Sequence, residues 1–399
     1  VGNDEAVTVE ELSMGYDPRA YWVWLQRGLN CGSAKPGRIL SVFPSVREFY
    51  EAGEREWRLL GIFTQKELQI LREYPLGEAE EILLACEKSG LKVLTPESSE
   101  YPQCLRDIHN PPCALYVKGV LPEMDSAPSV AIVGTRDATL SGRNIAFRFG
   151  YQLAKTGTVV VSGGAKGIDT AAHKGALQAK GKTVCVLGCA IGYPYLMENE
   201  AMRELIAKNG ALVSEYPPGR APAKTSFPIR NRLISGLSDG VLVVEAAGKS
   251  GSLITADLAA EQGRDVFAVP CGIDNPVSRG VNNLIKAGAK PVTVAEDVLE
   301  EYFHRYPGKM NLRGLYGEEE DQGQSLRPEK KKPGVLNADE FSEDACGIYA
   351  VLGEEPLLME ELAKRTGLTV PRIFAAVTEL ELAGKITQQS GRRYCLPED

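Results

Sequence analysis

The chain is poor in the residues that build metal and nucleophile centres. Its 399 residues include three histidines, His109, His173 and His304, and none is spaced with cysteines as a zinc ligand set requires. The nine cysteines form no C-x-x-C pair. The closest two, Cys185 and Cys189, fall in a valine-rich stretch and the turn after it, and read as core filler. An odd number of scattered thiols points to reduced cysteines in a cytoplasm. Long hydrophobic runs are missing too. The longest stretch without a charge, Thr183–Met197, is broken by glycine and proline and falls short of the ~18–20 apolar residues of a membrane helix. The first residues, VGNDEAVTVEE, are polar and acidic, unlike a secretory or transit peptide. Neither a membrane or secreted protein nor a structural metal or bound cofactor is expected.

What is present is the composition of a soluble globular protein, 43% hydrophobic and 25% charged, long enough for two or three domains of ~100–200 residues. The net charge of −8 speaks against a polyanionic partner, but it is unevenly spread. Between Pro128 and Lys290 there are 19 Lys and Arg against 12 Asp and Glu. That local +7 leaves the rest of the chain at −15. A basic middle with acidic flanks is compatible with polyanion binding by one domain.

The pattern divides the chain. After a tail, residues 1–19, the stretch 20–95 reads as short helices such as YWVWLQRGL and TQKELQILREY, with apolar positions every three or four residues. Within it, LLGIFTQKELQIL is open to two readings, half of a helix-hairpin-helix or a plain packing module. From 96 to 306 a loop-rich bridge with a short strand, LYVKG, leads into an alternating series. Six Val-rich segments, 129–135, 158–164, 183–188, 211–216, 240–246 and 265–270, are separated by helical stretches. Strands apolar on both faces and alternating with helices predict an α/β fold with a doubly wound parallel sheet, whose sites lie at the carboxyl ends of the strands. A charged linker, 307–340, is followed by three helices and a terminal hairpin over 341–399, a winged-helix pattern. In its third helix, Arg372 is accompanied by two glutamates, a poor groove reader, and Arg392 and Arg393 of the wing are better placed for DNA.

Three glycine-bearing loops follow strands: Gly134-Thr135-Arg136, Ser162–Asp169 with Gly163, Gly164 and Lys166, and Gly248–Ser252 with Lys249, Ser250 and Gly251. Glycine lets backbone N–H groups approach a phosphate where the next helix presents its positive end; Ser250 and Ser252 are equally suited to capping that helix. Known nucleotide motifs fail. The segment Gly175…Gly181-Lys182-Thr183 has five residues between its glycines instead of four, and GTRDATLSG lacks the dinucleotide spacing G-x-G-x-x-G. The segment KTSFPIRNRLISG is more telling. Lys224 and Arg230 offer charge to phosphates, Phe227 a face for stacking and Asn231 an amide for base or sugar edges, the combination that suits single-stranded nucleic acid. Phe227 in a core and the arginines on a solvated face is the other reading. Asp169 and His173 are four residues apart on one expected helix and can meet, and Glu215 and Glu245 end strands, but no nucleophile is placed beside them. No catalytic residue is assigned.

These segments together resemble the DNA-processing protein A family, DprA or Smf. The resemblance runs from YPQCLRDIHNPPCALYVKG through VAIVGTRDAT, VVVSGGAKGIDTAAHKGAL and FPIRNRLISGLSDGVLVVEA to KSGSLITADLAAEQGRDVFAVP and SRGVNNLIKAGA, densely over Tyr101–Ala289. It implies a non-enzymatic protein with an extended Rossmann-like domain that binds single-stranded DNA, forms a homodimer, and loads the RecA recombinase in natural transformation. It also implies DNA contacts at Arg136, Lys224, Phe227, Arg230 and Asn231, with Gly163 and Gly164 as backbone donors, Lys166 as a cation, and Lys249, Ser250, Gly251 and Ser252 along the same pocket. Two positions depart from the family pattern. Lys166 stands for an arginine, keeping charge without a bidentate fork, and Cys271 stands for a glycine. A nucleotide-processing enzyme of the phosphoribohydrolase type is the alternative, and the PGGxGT-type loop it needs is replaced by KSGSLIT.

Overall fold

The computed structural model describes residues 15–273, 275–312, 341–352, 357–383, 385–389 and 393–395. The tail before Gly15, most of the charged linker and Arg392 lie outside them. The chain divides into two compact units, Val1–Gly317 and Glu318–Asp399.

The first unit opens with five helices, α1 (Pro18–Leu29), α2 (Lys35–Leu40), α3 (Val46–Leu59), α4 (Gln65–Glu73) and α5 (Leu76–Lys88). Asp17 caps α1 and Pro18 occupies its first turn, where a missing N–H costs nothing. Trp22, Trp24 and Leu25 bury α1 in the middle of the bundle, and Trp24 Nε1 donates to the Leu71 carbonyl at 3.1 Å. Between α3 and α4 the chain turns at Gly61, φ +65°, and Thr64 with Glu67 forms a reciprocal capping box for α4. The bundle core runs on into Val93, Cys113, Ala114 and Tyr116, so the helices are fused to one edge of the sheet.

That sheet has nine strands: β1 (Lys92–Leu94), β2 (Leu115–Gly119), β3 (Ser129–Val133), β4 (Val159–Ser162), β5 (Thr183–Leu187), β6 (Ala211–Ser214), β7 (Gly240–Val243), β8 (Asp265–Ala268) and β9 (Lys290–Pro291). Their order is β1-β2-β6-β5-β4-β3-β7-β8-β9. Strands β3 to β9 are parallel, and β1 and β2 add an antiparallel edge. The helices between strands are α6 (Gln103–Arg106), α7 (Leu140–Lys155), α8 (Ile168–Gln178), α9 (Glu200–Asn209), α10 (Ser226–Gly236), α11 (Gly251–Glu261) and α12 (Arg279–Lys286), and α13 (Glu296–Leu299) follows β9. Alternation along β3 shows both faces covered. Val130 and Ile132 pack with Ala146, Phe149 and Ala172; Ala131 and Val133 pack with Leu233, Ile234 and Ala256. Helices α7 and α8 touch backbone to backbone, because a side chain at Gly175 would strike the Phe147 carbonyl.

From β3 the chain winds out through β4, β5 and β6, then returns to place β7 on the other side of β3. The carboxyl ends of β3, β4 and β7 therefore border the crevice where the winding direction reverses, the place where open α/β sheets bind ligands. The second unit has helices α14 (Glu343–Val351), α15 (Met359–Thr366) and α16 (Val370–Leu382) over strands β10 (Leu357–Leu358), β11 (Thr387–Gln389) and β12 (Arg393–Cys395), a winged helix. Arg372 there pairs with Asp344 at 2.5 Å. Among the described residues no helix is long and apolar enough to cross a membrane.

Candidate nucleic-acid interface

Helix α10 organises the crevice. It lies across the sheet with Arg230, Asn231 and Arg232 all buried, and buried polar groups need partners. Arg230 Nη1 donates to the carbonyls of Gly163, at 2.8 Å, and Val186, which ties together the ends of β4 and β5. Asn231 Nδ2 donates to the Gly251 carbonyl at 3.3 Å and holds the start of α11. Arg232 pairs with Glu215 at 2.6 Å, both side chains 3% exposed, and the Gly32 N–H donates to the same carboxylate. Glu215 thus joins β6, α10 and the helical bundle.

The loop after β3 is held from β7. Thr135 N–H donates to the Glu245 carbonyl at 2.7 Å, and the Glu245 carboxylate accepts from Thr139 N–H and from the Thr139 hydroxyl, at 2.9 and 2.5 Å. Thr139 in turn caps α7. This clamp projects Arg136 outward, exposed, with its guanidinium carbon 5.2 Å from the centre of the Phe227 ring, within cation–π range. Tyr195 leans on the same ring at 5.8 Å between centroids.

Below this pair is a cavity of about 470 Å³, lined by the Gly134–Asp137 loop, Asp169, Lys224, Phe227, Arg230, Asn231 and Ser250–Ser252. Ser250 caps α11, so the positive end of that helix faces the space. Asp169 is buried with Arg230 beside it, and burial, partly offset by Arg230, pushes its carboxyl up to about 6.

The structure thus brings Arg136, Lys224, Phe227, Arg230, Asn231, Ser250, Gly251 and Ser252 onto one cavity. Gly163 and Gly164 line a smaller neighbouring one, and the Gly163 N–H is already directed at Asp169. Lys166 is exposed and pairs with Glu198 at 2.8 Å. Lys249 lines a separate groove with Cys271, Arg279 and Lys286. Asp169 and His173 do not meet; His173 Nδ1 shares a 2.8 Å hydrogen bond with Thr183.

This geometry sits in a sequence with clear relatives. The family model described as DNA recombination-mediator protein A matches residues 92–303, and that of the DprA winged helix domain matches residues 333–392. The chain belongs to the DprA/Smf family. It is 41% identical over 220 residues to the DNA processing protein DprA of Bacillus subtilis, covering 55% of this chain and 74% of that one. It is 37% identical over 339 residues to protein Smf of Escherichia coli, covering 83% and 86%. The X-ray structure of DprA from Streptococcus pneumoniae superposes with a TM-score of 0.56 at 33% identity, over 72% of this chain and 99% of that one. A family of this kind accounts for both units, the sheet and the winged helix.

Tyr195 and Arg203 also reach this region, and sequence reasoning passed over both. The aromatic pair around Pro194 in a loop was the one available signal for Tyr195. Arg203 is an ordinary helical arginine until the fold places it.

Proposed function

We propose that this protein is a non-enzymatic single-stranded-DNA-binding protein that protects incoming DNA and loads the RecA recombinase onto it during natural transformation and recombination, acting as a homodimer through the Rossmann-like domain. The observation that carries the reading is the Arg136–Phe227 pair at the mouth of a cavity of about 470 Å³ at the reversal point of the sheet. The family's name and those of the DNA processing relatives point the same way.

The chemistry follows from the residues. Arg136 and Lys224 are exposed cations able to neutralise phosphates. Phe227, half-buried, offers a surface for a base once Arg136 turns from ring to phosphate. Arg230 and Asn231 contribute from beneath by fixing the strand ends and the start of α11. Duplex fits poorly, since its bases are already stacked and paired. If about four phosphates are neutralised, affinity falls with log salt at a slope near −2.8, roughly 50-fold between 50 and 200 mM. Two pockets in a dimer add avidity when one strand spans both.

The test is binding of labelled oligo-dT against duplex of equal length at two salt concentrations, with a folded Arg136→Ala/Lys224→Ala variant in parallel. Salt-sensitive preference for the single strand that collapses in the variant supports the reading and leads to a RecA-loading assay. Equal binding of both DNAs, or an unchanged variant, sinks it.

A further inference from the structure

Behind the Phe227 ring lies a second cavity of about 10 Å³, which shares Arg136, Phe227 and Arg230 with the larger one. Arg203 of α9 also lines it. The Arg203 side chain is 6% exposed, and its charge partner is Glu200 at 3.4 Å, a carboxylate 40% exposed. Arg203 Nε is buried without a hydrogen-bond partner. A buried guanidinium left partly unsatisfied is costly, and an anion with free acceptors relieves that cost. Among the described residues no carboxylate lines this cavity, while three arginines do.

We propose that this cavity is a second phosphate subsite of the single strand, in which Arg203 takes the backbone phosphate next to the nucleotide held at Arg136 and Phe227. The inference rests on the single-strand reading and deepens it. At its present size the space admits about one water, so a phosphate enters when Tyr195 and Leu196, which line it, move aside. The segment is built for that. Leu196 has φ +51°, in the left-handed region, which a leucine occupies reluctantly. The outer tie of the segment is the Lys166–Glu198 pair, both members exposed, while Asn199 anchors its inner end to the Gly164 carbonyl.

The experiment is oligo-dT binding across a salt series with the full chain and the variants Arg136→Ala, Arg203→Gln, Glu200→Gln and Glu204→Gln. Losing one phosphate contact lowers the salt slope by about 0.7 and the affinity about fivefold at 0.1 M salt, and this is expected for a folded Arg203→Gln. Glu200→Gln frees Arg203 and is expected to tighten binding at least about twofold. Glu204→Gln, on the same helix but paired with Lys118, is expected to change little, which controls for net charge. Should Arg203→Gln fail to fold, the Glu200–Glu204 comparison decides. An unchanged slope in folded Arg203→Gln, or equal effects of the two glutamate variants, overturns the subsite while wild-type binding and its loss in Arg136→Ala stand. Absence of wild-type binding overturns the single-strand reading itself.

Discussion

Truncating Phe227 and Arg136 separately and together tests whether the pair works as stacking platform and phosphate ligand. The ring is wedged against Gly188, where a side chain would meet its Cδ1, so its position does not depend on Arg136. Losing one base stack costs about 1–3 kcal/mol, which is about 5- to 150-fold in affinity. Phe227→Ala is therefore expected to weaken oligo-dT binding within that range and leave the salt slope unchanged, because stacking releases no counterions. Arg136→Ala is expected to flatten the slope by about 0.7 with about a fivefold loss at 0.1 M salt. In the free protein the two side chains hold each other with about 0.5–1 kcal/mol, an attraction that binding must break. Each single variant is spared that cost, so the double variant should lose more than the two single losses combined, by about that amount. Fluorescence anisotropy of one labelled oligo-dT at four salt concentrations measures all three quantities. The reasoning is refuted if Phe227→Ala changes the slope and not the affinity, or if the double variant loses less than the sum.

Glu215→Ala leaves Arg232 buried and unpaired and is expected to destabilise the first unit by about 3–5 kcal/mol, read by denaturant unfolding. Replacing both members, Glu215→Leu with Arg232→Met, should recover most of that loss. Asp169 and His173 pull the pH dependence of stability in opposite directions. The Asp169 carboxyl, raised by burial to about 6 from an ordinary 3.8, contributes stability fully present below 3.8 and lost as pH rises through 6. The His173 ring, pushed down to about 3 from 6.5 by burial, contributes stability present above 6.5 and lost as pH falls toward 3. Asp169→Asn removes the first contribution, so its stability should fall more steeply than wild type as pH is lowered from 6 to 4.

The parallel strands were legible because valine-rich segments covered on both faces carry their own signature. The segments read from sequence overran the strands by one to three residues, since Gly134 and Thr135, for example, already belong to the clamp on Glu245. The edge strands β1 and β9, three and two residues long, are too short to show a period. Most of the cavity lining could be named in advance, because glycine loops and the Lys224–Asn231 segment carry chemistry in their composition. Direction could not. Lys249 is next to Ser250 in sequence, yet faces another groove. Asp169 and His173 have helical spacing, yet one faces Gly163 and Arg230 while the other faces β5. Tyr195 and Arg203 come from a loop and a helix whose meeting with Phe227 depends on how α9 crosses the sheet edge.

The acids near the strand ends bear on whether the crevice holds its ligand or attacks it. General acid–base catalysis needs a proton-transfer group within reach of the reacting bond. Glu215 is committed to Arg232 and Gly32, and Glu245 to Thr139. Asp137 and Asp169 do line the cavity, and burial pushes the Asp169 carboxyl up to about 6. A hydrolytic activity that needs a buried acid in this crevice would run through Asp169. Asp169→Asn keeps the shape and the hydrogen-bonding size of the protonated acid, so the variant separates the two cases. On the holding reading it binds oligo-dT at pH 7.5 at least as tightly as wild type, since a negative charge has left the pocket, and neither protein releases free base from nucleoside monophosphates. Base release by wild type that Asp169→Asn abolishes would refute that reading.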